Sequence, residues 1–148
     1  MSTPRYPLIT ACLALLLGVP TSMAALGGLE ATVYKDQQRL SATLSVAQQG
    51  LFSLYTLTNP DGVHIREYVS ASGLVFAVAW DGPVLPDMEV ILGSYFPIYL
   101  DSLRQKSRGV HVKQSSLVIE SGGVMRAFIG KAYLPDQLPE RVMPQDIQ

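Results

Sequence analysis

The single cysteine of this 148-residue chain, Cys12, lies inside an apolar run, and that placement limits how the rest of the chain can be held together. Arg5 precedes the run Leu8–Val19, Pro20 follows it, and the small-residue site Ser22-Met23-Ala24 comes next. A lone charge, about a dozen apolar residues and small side chains at the end have the layout of a secretory signal peptide. Cleavage between Ala24 and Ala25 is expected, and it removes Cys12. Residues 25–148 then fold with no disulfide, no thiolate nucleophile and no cysteine-ligated metal, so apolar packing must suffice. An uncleaved anchor would need ~20 apolar residues, more than the run supplies. Lipidation at Cys12 is disfavoured because most of the apolar run follows that residue rather than preceding it. The chain is therefore expected to be exported, to the periplasm, with no stable membrane span once cleaved.

What remains is one domain's worth of chain, able to bury roughly two-thirds of its unfolded surface. The whole chain carries a formal charge of −1, and loss of Arg5 makes it slightly more acidic. No basic stripe is present, which argues against nucleic acid and anionic membrane surfaces as partners.

Residues 25–50 form an N-terminal arm or a weak helix. Ala25-Leu-Gly-Gly28 reads as flexible, and Asp36 to Gln49 fits either a helix with Leu40, Leu44 and Ala47 on one side or an extended segment. From Leu51 the pattern sharpens into a single α+β domain over 51–133. Leu51–Thr58 and the alternating Val63–Ser70 are strands joined by the turn Asn59-Pro60-Asp61-Gly62, in which Pro fixes φ and Asp-Gly supplies the positive-φ position. Leu74–Trp80 is a third strand. Its alternation sets Leu74, Phe76, Val78 and Trp80 against Val75, Ala77 and Ala79. Met88, Ile91, Leu92 and Tyr95 recur at helical spacing after Asp87, a residue suited to capping. Gly93 and Pro97 break this into two helices, about 87–93 and 97–107. Strands at Val110–Lys113, Leu117–Glu120 and Val124–Tyr133 follow, the last two joined by Ser121-Gly122-Gly123. The tail 134–148, spaced by Pro135, Pro139 and Pro144, is expected to be extended, strapping the domain or engaging a partner. The fold class is thus α+β, a mainly antiparallel sheet packed against a short broken helix pair.

Two charges interrupt apolar strand faces: Glu67 among Val63, Ile65 and Val69, and Arg126 between Val124 and Phe128. A buried lone charge is costly and a paired one tolerable, so Glu67 and Arg126 are expected to meet, as a structural pair or as part of a binding pocket. Tyr95, Phe96 and Tyr99 around the helix break are candidates for core packing or an aromatic docking surface. Trp80 reads as core. His64 and His111 fall on polar strand faces. The chain lacks the Gly-x-Ser-x-Gly elbow and Ser-x-x-Lys, the usual zinc and calcium spacings, and phosphate-binding glycine loops. No catalytic residue, metal or cofactor is therefore assigned.

Arg66-Glu-Tyr-Val-Ser70, Val75-Phe-Ala-Val-Ala-Trp80, Gly82-Pro83 and Leu92-Gly-Ser-Tyr95 form one block of motifs. Glu120-Ser-Gly-Gly123, Met125-Arg-Ala-Phe128 and Ala132-Tyr-Leu-Pro135 form a second. Together they resemble the secreted bacterial family catalogued as domain of unknown function 2844, over about residues 62–139. The resemblance implies a signal peptide, a Gram-negative envelope setting and no assigned activity. It also implies a histidine after Gly123, where this chain has Val124.

The expected function is that of a non-enzymatic periplasmic binding or assembly protein acting on an envelope partner. The alternatives are a small periplasmic hydrolase or isomerase using Glu67, Arg126 or a histidine, and a carrier of an apolar ligand.

Overall fold

The computed structural model describes residues 25–105 and 109–148, so the leader with Ala24, and the stretch at Ser107-Arg108 expected to end the second helix, lie outside the described residues. Among the described residues seven strands form one antiparallel sheet: β1 Thr43–Gln48, β2 Phe52–Thr58, β3 His64–Ser70, β4 Val75–Gly82, β5 Val110–Lys113, β6 Val118–Val124 and β7 Ala127–Tyr133. Their spatial order is β1-β2-β3-β4-β7-β6-β5. Four strands follow one another as a meander. A helical excursion after β4 then carries the chain to the far edge, and β5, β6 and β7 return it to the middle.

Turn chemistry sets the meander. Gly62 takes φ 79 and donates to the Asn59 carbonyl, while the Asn59 side chain accepts from the Val63 N–H at 2.9 Å. The excursion comprises α2 (Met88–Leu92), one 3₁₀ turn and α3 (Phe96–Arg104). Asp87 caps α2, its side chain accepting from the N–H groups of Glu89 and Val90, and Pro97 sits in the first turn of α3. The broken pair is therefore nearly continuous.

An additional helix, α1 (Glu30–Arg39), precedes β1. Helix and strand thus share the segment expected to be one or the other, because β-favouring Thr43, Ser45 and Val46 begin a strand just after α1 ends. Ala25-Leu26-Gly27 is not flexible. It hydrogen-bonds to Val90, Ile91 and Val75, and Ala25 and Leu26 are buried.

The helices cover one face of the sheet. Val33, Tyr55, Leu57, Ile65, Val78, Trp80, Ile91, Leu92, Tyr99 and Ile119 form its core, each large side chain contributing about 1.5–3 kcal/mol on burial. The tail covers part of the other face, where Val142 and Ile147 join Tyr68, Phe76, Ala77, Ala79, Val118 and Tyr133. Short 3₁₀ turns at Pro135–Gln137 and Pro144–Asp146 interrupt the expected extended course.

Two strand details differ from simple alternation. The β3–β4 register shifts between Tyr68 and Val69, so Tyr68 faces Ala77 while Val69 faces Val75. The extra residue, Phe76, joins Ala77 and Ala79 on the tail face, and Val75 joins Val78 and Trp80 beneath the helices. In the β6–β7 hairpin, Gly122 and Gly123 lie within β6, and Met125-Arg126 makes the turn with Arg126 at φ 64.

Candidate functional site

The expected pairing of Glu67 with Arg126 is not formed. Arg126 is exposed at the hairpin turn, whereas Glu67 lies in mid-strand under α1, fully buried, with neither carboxylate oxygen hydrogen-bonded. Its electrostatic neighbour is another carboxylate, Asp36 of α1, which is 3% exposed and has Oδ2 unpartnered. Burial, then the charge of Asp36, pushes Glu67 up to about 8. Burial pushes Asp36 up to about 6 against the opposing pull of Arg39 and Lys35. The charge that Glu67 feels is that of another acid, where a base was expected. Nearby, Tyr55 donates its hydroxyl to Glu30, which together with burial raises the phenol.

The aromatic group at the helix break mostly faces inward. Tyr99 is buried beside Ser121 and stacks on Phe96 with ring centroids 6.3 Å apart. Tyr95 and Phe96 are half-buried against the same core. Trp80 is buried across β7, lying so close to Gly130 that a Cβ there would fall 2.4 Å from its Cζ2.

Polar side chains gather instead on the tail face. The strand registers place Arg66 of β3, Ala79 of β4, Lys131 of β7, Glu120 of β6 and His111 of β5 in one row across the sheet. Arg66, Lys131, Glu120 and His111 of this row, with Asp81, Ile129, Ile147 and Gln148, line a groove of about 780 Å³, a size suited to a ligand or a peptide side chain. Arg66 pairs with Asp81 at 2.5 Å and also donates to the main-chain oxygen of Gln148. The Lys131 ammonium donates to the carbonyls of Pro144 at 2.8 Å and Ile147 at 3.4 Å, and lies 4.0 Å from Glu120. Tyr68 holds the end of the strap from both sides, its hydroxyl accepting from the Gln148 N–H and donating to the Gln148 main-chain oxygen, each at 3.0 Å. Small Ala79, between the two cations, leaves room for Ile147 in the same apolar cluster. Ile129 stays 64% exposed in mid-strand within the groove wall.

His111 was singled out from sequence and does line this groove. Arg66, Asp81, Glu120 and Lys131 were not, although Arg66 is visible on the same strand face as His64. Among the described residues, no three His, Cys, Asp or Glu side chains cluster as a metal site, and no helix is long and apolar enough to cross a membrane.

No curated protein and no solved structure matches the chain. A family model does, over residues 22–147: the chain belongs to the family described as protein of unknown function (DUF2844).

Proposed function

We propose that the chain is exported to the periplasm, loses residues 1–24, and works there as a non-enzymatic binding or assembly protein whose contact site is the tail-face groove. The leader's charge, apolar run and small-residue end support export. The groove supports binding through one observation: its two cations already hold peptide. Lys131 bonds two peptide carbonyls of the chain's own tail and Arg66 bonds the main-chain oxygen of Gln148, while Ile147 is buried 1% exposed beside them. A partner's extended segment laid next to the tail would meet the same chemistry, with Ile129 offering the apolar contact and Glu120 and Asp81 the acceptors. A second reading, a hydrolase or isomerase, draws on His111 and Glu120, which stand opposite each other in register at the groove edge.

A photo-reactive residue replacing Ile129 tests the binding reading in living cells, with Leu103, 52% exposed on α3, as the comparison position. The expected result is an envelope-protein adduct from position 129, absent from position 103 and reduced by Lys131→Ala. Equal labelling at both positions, or none at 129, contradicts it. Loss of a measurable turnover on His111→Ala would favour the enzymatic reading instead.

A further inference from the structure

The two edges of the sheet are guarded differently. Strand β5 is four residues long, carries His111 and Lys113, and packs against α3. Strand β1 runs for six residues, Thr43-Leu-Ser-Val-Ala-Gln48, without a charge, proline or glycine, and five of the six are exposed. Among the described residues its backbone pairs with β2 on one side only. An open edge of this kind is a template for strand addition, and edges that must stay unpaired usually carry charge, proline or a bulge. The register adds a side-chain element. Leu44 stands opposite Leu57 and Val46 opposite Tyr55, so both point to the helix face. Val46 is 49% exposed, and so at 47% is Tyr34 of α1, whose ring meets Tyr55 edge-on at 6.2 Å. Together they make an apolar shoulder running along the open edge.

We infer that β1 is a self-association edge: two copies of this chain pair β1 to β1, antiparallel, about a twofold axis perpendicular to the sheet. Charge and symmetry select a second copy as the occupant. A strand without charges meets an identical strand with no like-charge contact in any register, and it offers a charged partner strand no counter-charge. Residues directly opposite in antiparallel strands point to the same face. The axis therefore keeps both helix layers on one side and lets Leu44 and Val46 of one copy cover Val46 and Leu44 of the other. The result is a continuous sheet across both copies, with the tail-face groove of each left open.

Sedimentation of the natural full chain, as recovered from cells, tests this. The expected mass at about 100 µM is that of a dimer, falling to a monomer on dilution. Val46→Lys places two cations near the axis and is expected to weaken the dimer at least about tenfold, whereas Leu103→Lys, away from the edge, leaves it unchanged. Position 46 is half-exposed, so the lysine variant should retain the native unfolding midpoint. Amide exchange gives a second readout: the β1 N–H groups facing away from β2 should be protected in the concentrated native chain and lose protection on dilution. A native chain that stays monomeric at that concentration, or a dimer that survives Val46→Lys while β1 amides exchange freely, overturns the inference.

Discussion

Replacing Glu67 with Gln should stabilise this protein, and the gain should depend on pH. Glu67 is fully buried, none of its oxygens has a hydrogen-bond partner, and the charged group facing it is Asp36. Its carboxyl titrates at an ordinary 4.5 in the unfolded chain and at about 8 in the folded one. Because the folded value is raised, the unfolded state sheds its proton first. Stability is complete below pH 4.5, declines as pH rises, and reaches its floor above the folded value near 8. At 1.36 kcal/mol for each tenfold change in proton activity, the loss is about 3 kcal/mol at pH 7 and about 5 kcal/mol beyond pH 8. Glutamine keeps the shape and polarity of the protonated acid but cannot ionise. Urea unfolding from pH 4 to pH 9 should therefore give matching stabilities at pH 4, within about 1 kcal/mol, and a growing advantage for Glu67→Gln above it. A shallower slope persists in the variant between pH 4 and 6, where Asp36, raised to about 6, still titrates under the influence of Lys35 and Arg39. If Glu67→Gln is instead the less stable protein at pH 8, its carboxylate has a favourable partner and the reasoning fails.

Three further outcomes follow from contacts already described. Gly130→Ala drives a methyl group into the Trp80 ring and toward the Glu120 carbonyl, 2.8 Å away, and should cost about 1–3 kcal/mol with a change in tryptophan fluorescence; an unchanged urea midpoint would refute the packing. Ile147→Ala empties the seat of the strap and should cost about 2–5 kcal/mol, measurable in the same assay, whereas a loss under half a kcal/mol would mean the tail does not dock. Lys131→Met removes the two bonds to the Pro144 and Ile147 carbonyls. Amide exchange in residues 142–148 should accelerate while that of β4 stays native; equal protection in both proteins would contradict the strap.

Much of the sheet is legible in the sequence because local chemistry marks it. Strands β2 to β4 are punctuated by turns whose glycines, Gly62 at φ 79 and Gly73 at φ 80, occupy positions few other residues tolerate. Asp87 announces α2 in the same way. Helix α1 is legible only as one of two alternatives, and with misplaced bounds, because it buries Thr32, Val33 and Asp36, only one of them apolar, so it carries almost no apolar stripe. Pattern reading also fails where one residue changes the count. The bulge at Phe76 swaps the faces of β4, and the Gly122-Gly123 pair mimics a turn. Gly123 is a strand residue for another reason: a Cβ there would lie 2.9 Å from the Phe128 side chain. Arg126 lies in the exposed turn beyond the last β6–β7 pair, whereas Glu67 is buried in mid-strand β3, so the two charges do not meet.

The groove was invisible for a geometric reason. Its charged residues come one from each of several strands, separated by up to 65 positions between Arg66 and Lys131, and only the β4–β7 crossover makes them neighbours. No local spacing encodes that. The aromatic residues at the helix break were visible because they are close in sequence, but their spacing serves the seam between α3 and β6.

Every functional statement above depends on the chain working outside the cytoplasm, and the amino-terminal sequence of the protein recovered from fractionated cells tests that most directly. The account predicts a periplasmic protein that begins at Ala25. A cytosolic protein retaining the segment Arg5 to Ala24 would contradict it.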